Sequence, residues 1–315
     1  MSAKHSGGEC QTNSCDEGDK PPFQRSKIVL LGDSITQLSF SPSLSGWGAH
    51  IAEMYERRCD VFNRGMSGYN TDWFLLYLNT KQGRHDVFDS MTMSGGLNAD
   101  GISDVKLVTI FFGANDASCP KLNSRQHVPI LRFQENLRKI LSACRDNFGS
   151  KVRLILITPP PVHHKSRLKF QLEKFGPEKA TGELERNLDL SSQYATAVND
   201  ISDELNIPCL DLWKLMQESM PGKDEPWSQY LSDGLHLSGL GNAFVGERLI
   251  ELITKEYPEI AVTPSPATGH WGTATSNAGI ALGNVKGVGP WHDEISNLDP
   301  GMAFQTNNSA KKRRF

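Results

Sequence analysis

The chain has 315 residues and a formal net charge of −3, with 38% hydrophobic and 22% charged residues. This composition is typical of a globular protein with one sizeable core, and the near-neutral charge argues against a nucleic acid partner. No apolar run approaches the roughly 20 residues that span a bilayer, so we predict no membrane span. The first ten residues lack the apolar segment of a secretory signal, and we expect an intracellular, cytoplasmic protein.

Composition divides the chain into three parts. Residues 1–26 are rich in Gly, Ser, Asp and Lys, which predicts a disordered leader. Short β-branched runs alternate with stretches of helical periodicity over residues 27–258, and we predict that this range is the folded domain. Residues 259–315 follow neither a strand nor a helix period, which predicts a low-complexity tail.

The alternation inside the predicted domain indicates the fold class. Five apolar runs predict strands over residues 27–31, 59–63, 106–112, 152–158 and 208–211. Apolar residues at helical spacing predict helices over residues 47–58, 130–144, 193–205 and 239–257. Alternating strands and helices favour an α/β fold. We predict a three-layer, doubly wound (flavodoxin-like) arrangement in which a five-stranded parallel sheet carries helices on both faces.

Two segments interrupt this alternation. Residues 81–103 are polar and rich in Gly, and we predict a surface excursion before the third strand. Residues 163–187 are strongly charged and follow the fourth strand, at the sheet edge where substrate-selecting loops of such folds lie. A solvated helical insertion without a role in any site is an equal alternative for this second segment.

Ser34 is a candidate nucleophile. The tripeptide Gly32-Asp33-Ser34 directly follows the first predicted strand, and the end of a parallel strand faces the crevice where such sheets bind ligands. A Ser at a helix start also has a free backbone N–H, which can stabilise an oxyanion while the hydroxyl attacks. Considered alone, this segment fits a Ser that caps a helix at least as well.

A base for Ser34 is available near the end of the predicted domain. Asp233 and His236 lie three residues apart before the last predicted helix. The Asp233 carboxylate can accept the imidazole Nδ1–H, which leaves Nε2 to face a serine. The alternative is an Asp in a turn beside a polar His without a catalytic role.

Oxyanion donors can come from two further loops. Gly68 follows the second predicted strand and would let a backbone N–H approach a substrate closely. Asn115 follows the third predicted strand and can donate a side-chain N–H to the same oxygen. A turn glycine and a helix-capping amide are the alternatives. The combination favours the catalytic interpretation over these alternatives, because the nucleophile, the two donors, the acid and the base are all predicted on loops at one edge of the sheet.

These residues resemble a known family. Four motifs match, in order, the sequence blocks of the SGNH (GDSL-type) hydrolases: Gly32-Asp33-Ser34, Gly68, Gly113-x-Asn115-Asp116 and Asp233-x-x-His236. The resemblance covers about residues 27–258. It is strongest to the isoamyl acetate-hydrolysing esterases, because the residues that flank these motifs and the segment Thr158-Pro-Pro-Pro161 are similar to that subfamily. Arg186-Asn187 resembles an Arg-x-Asn feature of that subfamily at a different spacing, and we assign it no role.

The resemblance implies a serine ester hydrolase. It makes Ser34 the nucleophile, His236 the base and Asp233 its orienting acid, with the Ser34 N–H, Gly68 and Asn115 as oxyanion donors. We expect a small or short-chain ester as substrate, and no metal or organic cofactor. Lysophospholipids, thioesters and acetylated carbohydrates are alternative substrates, and a flavodoxin-like binding scaffold without activity is the alternative from another class of function.

Overall fold

A computed structural model describes residues 25–90, 104–178, 180 and 182–262. Within these residues, five strands form one sheet in the order β2-β1-β3-β4-β5, and all four pairings are parallel. The predicted strands are confirmed within two residues at either end. Their bounds are β1 Ser26–Gly32, β2 Cys59–Gly65, β3 Val105–Phe111, β4 Arg153–Ile157 and β5 Cys209–Leu210.

Helices cover both faces of the sheet. The described helices are α1 Ser34–Gln37, α2 Trp47–Met54, α3 Thr71–Leu78, α4 Lys81–Arg84, α5 Ile130–Phe148, α6 His164–Phe175, α7 Leu188–Leu205, α8 Leu212–Ser219 and α9 Gly239–Glu256. Helices α2, α8 and α9 share a core with Ile28 and Leu30 of β1. Helices α3, α5 and α7 share the opposite core with Val29 and Leu31, so the predicted three-layer α/β fold is confirmed.

Three helices and one loop differ from the prediction. Helix α2 ends at Met54 rather than residue 58, and α5 ends at Phe148 rather than residue 144. Helix α7 begins at Leu188 rather than residue 193, because the Asn187 side chain caps it by accepting a hydrogen bond from the Leu190 N–H. The predicted surface excursion over 81–103 is only partly correct for its first ten residues, because six of them are exposed and others are buried. There, α4 and a π-helical turn, His85–Asp89, bury Val87 and Phe88 in the core. Residues 91–103 lie outside the described part.

The inner ends of the predicted leader and tail belong to the folded unit. Ser26 begins β1, and the side chains of Ile260 and Val262 are buried in the same core as α9. Tyr55 Oη donates a hydrogen bond to the Ile260 carbonyl at 2.8 Å. The described domain therefore continues past residue 258, and the rest of the leader and tail lies outside the described residues. No helix among these residues is long and apolar enough to cross a membrane.

The register of β1 brings three loops to one level at the carboxyl edge of the sheet. Gly32 at the end of β1 pairs with Gly65 at the end of β2 and with Phe111 at the end of β3. Helix α1 passes so close to β2 that a Cβ on Gly65 would meet the Gln37 backbone N at 2.0 Å. The gap between β1 and β3 is the point where the strand order reverses, which is where open α/β sheets bind ligands.

Two carboxyl groups are fully buried at this edge. Burial raises the pKa of Asp116 to about 7, although the Thr71 N–H and hydroxyl both donate to its Oδ1 and oppose the shift. Burial likewise raises the pKa of Asp33 to about 6, against the hydrogen bond from the Ile35 N–H and the charges of His236 and Arg186. Both groups therefore bind protons more tightly in the folded chain than in the unfolded one.

Gly65→Ala tests the close crossing of β2 and α1. The new methyl group meets backbone atoms of α1 that cannot rotate away, so we expect the free energy of unfolding to fall by roughly 1–3 kcal/mol. Urea denaturation measures this change. Gly239→Ala is the control, because the nearest atom to its added Cβ, the Leu44 carbonyl oxygen, lies 3.8 Å away. Equal midpoints for the two variants would contradict the predicted clash.

Asp116→Asn tests the buried titration. The unfolded chain ionises Asp116 near pH 3.8 and the folded chain near pH 7, so the free energy of unfolding falls as the pH rises across this interval. In Asp116→Asn we expect this fall to be smaller by at least about 1 kcal/mol. Urea denaturation at about pH 4 and about pH 7 measures it. The exposed Asp146→Asn variant should match the wild type, and equal falls in all three proteins would refute the prediction.

Candidate active site

Ser34 lies at the carboxyl end of β1 as the first residue of α1. Asp33 caps this helix, because its Oδ1 accepts a hydrogen bond from the Ile35 N–H at 2.9 Å. The alternative interpretation of Ser34 as the helix cap is therefore wrong. The Ser34 hydroxyl oxygen instead lies 2.9 Å from His236 Nε2, across 202 residues of sequence.

A short hairpin before α9 holds His236. Leu231 and Leu237 form an antiparallel bridge that closes it, and the Ser232 N–H donates to the His236 carbonyl at 2.8 Å. Inside the hairpin, Asp233 Oδ1 accepts hydrogen bonds from the backbone N–H groups of Leu235 and His236 at 2.9 and 2.7 Å. The side chain of Asp233 thus fixes the turn as well as facing the imidazole.

The second oxygen of Asp233 contacts the imidazole. His236 Nδ1 lies 2.9 Å from Asp233 Oδ2, and a carboxylate in this position accepts the Nδ1–H. Burial alone would raise the pKa of Asp233, but the hydrogen bond and charge of His236 and the two backbone N–H groups outweigh it. The pKa of Asp233 therefore lies well below its ordinary value. An ionised Asp233 leaves Nε2 as the acceptor that faces the Ser34 hydroxyl.

Gly68 and Asn115 lie on neighbouring loops that are bonded to each other. Gly68 has φ +81°, a conformation that glycine adopts readily, and its carbonyl accepts a hydrogen bond from Gln126 Nε2 at 2.8 Å. Asn115 Nδ2 donates to the Tyr69 carbonyl at 2.8 Å, which ties the loop after β3 to the loop after β2. Among the described residues no acceptor takes the Gly68 N–H or the second amide hydrogen of Asn115.

Arg186 and Gln126 determine how the Asn115 amide is turned. Arg186 Nη2 donates to Asn115 Oδ1 at 2.8 Å and to Gln126 Oε1 at 2.6 Å, and its Nε donates to the Ala114 carbonyl. Because a guanidinium can only donate, it holds the oxygen of Asn115 towards itself and turns the Nδ2 group away. Neither the role of Arg186 nor that of Gln126 was predicted from the sequence.

The charged segment over 163–187 contacts both halves of the site. Arg167 of α6 donates to Asp233 Oδ2 at 3.0 Å, while Arg186, at its other end, holds Asn115. Gly234 has φ +82°, and a Cβ there would meet the Arg167 backbone N at 2.5 Å, so α6 packs directly on the hairpin. The alternative of a solvated insertion away from the site is therefore wrong.

The arrangement offers a hydroxyl, an imidazole that can accept its proton, and a carboxylate that orients the imidazole. Three N–H groups of Ser34, Gly68 and Asn115 follow the ends of β1, β2 and β3. These are the parts that acyl transfer requires. Within the described residues, no group of three or more His, Cys, Asp or Glu side chains is placed to hold a metal ion.

The chain is similar to known hydrolases. It is 40% identical over 235 residues to the isoamyl acetate-hydrolyzing esterase 1 homolog of Bos taurus, covering 75% of this chain and 84% of that protein. It is 38% identical over 236 residues to a GDSL esterase/lipase of Arabidopsis thaliana, with coverages of 74% and 88%. The predicted resemblance is confirmed by these relatives.

Solved structures agree with the fold. A lipase/acylhydrolase from Enterococcus faecalis matches with a TM-score of 0.51 and 29% identity, over 74% of this chain and 96% of that one. An acetylxylan esterase from Geobacillus stearothermophilus matches with a TM-score of 0.52 and 19% identity, over 72% and 94%, which shows a shared fold alone. The model of the GDSL-like lipase/acylhydrolase family matches residues 30–244. The chain is a carboxylic ester hydrolase that belongs to the GDSL-like lipase/acylhydrolase family.

Proposed function

We propose that this chain hydrolyses small or short-chain carboxylic esters through an acyl-enzyme on Ser34. The observation that carries the proposal is the continuous contact from Ser34 Oγ to His236 Nε2 and from His236 Nδ1 to Asp233 Oδ2, each at 2.9 Å. The isoamyl acetate named for the bovine relative is a small ester of this class. We assign the activity to the domain predicted over residues 27–258.

Acylation begins at Ser34. Its Oγ attacks the ester carbonyl carbon while His236 Nε2 takes the hydroxyl proton, and Asp233 stabilises the imidazolium that forms. The carbonyl oxygen becomes an oxyanion, and the N–H groups of Ser34, Gly68 and Asn115 donate to it. The intermediate then collapses, and the alcohol leaves with the proton from His236.

Deacylation repeats the same steps with water. His236 removes a proton from a water molecule, which attacks the carbonyl carbon of acyl-Ser34. The second oxyanion uses the same three donors. When the bond to Ser34 Oγ breaks, His236 returns the proton to that oxygen and the carboxylic acid departs.

Ser34→Ala tests the nucleophile. We expect it to lose labelling by a fluorophosphonate probe and to lower kcat/KM for nitrophenyl acetate by roughly 10⁴-fold, because no other group forms the acyl bond. Mass spectrometry of the labelled wild type should locate the adduct at Ser34. Ser43→Ala is the matched control, since Ser43 is exposed and its hydroxyl contacts the hydroxyl of Ser41. A Ser34→Ala protein that retains most of its hydrolysis would contradict the proposal, and an unlabelled, inactive wild type would favour the binding scaffold.

A panel of nitrophenyl esters from acetate to palmitate tests the substrate class. We expect kcat/KM to be highest for acetate or butyrate, because the mammalian relatives are named for isoamyl acetate, an ester of a short acyl group. Ser34→Ala run in parallel provides the background rate. A preference for palmitate would favour lysophospholipids or thioesters instead, and much faster release of acetate from acetylated xylose than from nitrophenyl acetate would favour a carbohydrate acetylesterase.

A further inference from the structure

An ionic chain leads away from the Asp233 carboxylate. Arg167 Nη1 donates to Asp233 Oδ2 at 3.0 Å, which is the same oxygen that faces His236 Nδ1. Arg167 Nη2 donates to Glu185 Oε1 at 2.7 Å. One guanidinium therefore joins Asp233 to a second carboxylate 48 residues earlier in the chain, in the segment that follows α6.

The same Glu185 oxygen continues the chain to the other half of the site. Arg186 Nη1 donates to Glu185 Oε1 at 3.1 Å, and its Nη2 donates to Asn115 Oδ1. Gln171 Nε2 donates to the second Glu185 oxygen at 2.6 Å, and the Glu185 carbonyl accepts from the Cys119 N–H at 2.7 Å. Glu185 is thus held by its side chain and by its backbone.

These charges are removed from water. The side chains of Arg167, Glu185 and Arg186 are 8%, 20% and 8% exposed, and that of Asp233 is 12% exposed. Charges alternate in sign along the chain, and each guanidinium lies between acceptors at hydrogen-bond distance. A buried chain of this kind is costly to interrupt, because removal of one member leaves its neighbours charged and unpaired.

We propose that Arg167 is a positioning residue for Asp233. Glu185 then couples Asp233 to the side-chain amide of Asn115, through Arg167 on one side and Arg186 on the other. The inference rests on the proposed function. Arg167 holds Oδ2 towards the imidazole, and Arg186 holds the Asn115 amide in place from the other side of Glu185. Segment 163–187 then aligns both halves of the site as one unit.

Arg167 also contributes to the electrostatic potential at His236. Its cation lies 3.0 Å from Asp233 Oδ2 and offsets part of the Asp233 charge, so we expect removal of the cation to strengthen the interaction between Asp233 and the imidazole. Loss of the cation favours the protonated, inactive imidazole, whereas loss of the Glu185 charge strengthens the effect of Arg167 on Asp233. Among the described residues, several other charged or titratable groups lie near the Asp233–His236 pair or its hairpin. They are Asp33 in the loop after β1, Arg167 of α6, Glu185 and Arg186 beyond Arg167 in the ionic chain, and the pair His163 and Glu225.

The pH profile of kcat/KM for nitrophenyl acetate tests the inference. In Arg167→Met we expect the acidic limb to move to higher pH by about half a unit to one unit, with a three- to tenfold loss of activity below it. In Glu185→Gln we expect the limb to move to lower pH, together with a lower kcat because Asn115 is less firmly held. Damage to the fold alone does not move the limb in opposite directions. Arg167→Lys keeps the cation and should restore the limb.

Lys169→Met is the matched control. Lys169 lies on the same helix, its side chain is 76% exposed, and it pairs with Glu173 at 3.8 Å, so this variant removes a charge of the same sign away from Asp233. Its profile should match that of the wild type. Thermal melting shows whether each variant folds. If Arg167→Met does not fold, the shift of Glu185→Gln to lower pH decides, with an unshifted limb in Arg167→Lys as its control, and an unshifted limb in Glu185→Gln overturns the inference.

Two failures can be told apart. A wild type that does not hydrolyse the ester overturns the proposed function. An active wild type whose acidic limb coincides with those of Arg167→Met and Glu185→Gln overturns the inference and leaves the proposed function standing. A shift of the same size in Lys169→Met overturns the inference as well, since the effect would then be one of total charge.

Discussion

The pairing of β1 between β2 and β3 is the constraint on which the candidate site depends. Because all three strands run in the same direction and end in register near Gly32, the loops that follow them must share one edge. Each loop then needs to contribute a single group, and no long reach is required of any side chain. Asp233 and His236 come from elsewhere, on a hairpin whose Leu231, Leu235 and Leu237 are buried in the core beside β1 and whose His236 contacts Ser34.

The pKa values of the buried carboxyl groups near the site shift in opposite directions. Asp233 collects donors from His236, Leu235 and Arg167 and stays ionised. Asp116 and Asp33 receive fewer donors in a fully buried place, and their pKa values rise. The depth of burial and the N–H and O–H groups directed at each carboxylate therefore together determine whether its pKa rises or falls.

The sheet and the positions of Ser34, Gly68 and Asn115 were accessible from the sequence, because each of these residues follows a predicted strand. Asp233 and His236 were accessible from their three-residue spacing before the last predicted helix. Ser34 was ambiguous on its own, since its neighbour Asp33 supplies the helix cap that a single segment cannot assign. Arg167 and Gln126 could not be found in this way. Their roles depend on partners 66 and 58 residues away along the chain, and a charged helix face gives no sign of which cation turns inward. Val87 and Phe88 were missed because a π-helical turn has no familiar period.

The hairpin closed by Leu231 and Leu237 carries acid and base together, so the two move as one piece relative to the nucleophile. A displacement of this hairpin relative to β1 would separate Ser34 from His236 without separating Asp233 from His236. Because Leu231, Leu235 and Leu237 are buried in the core that α2, α8 and α9 share with β1, the distance between His236 and Ser34 depends on the integrity of that core.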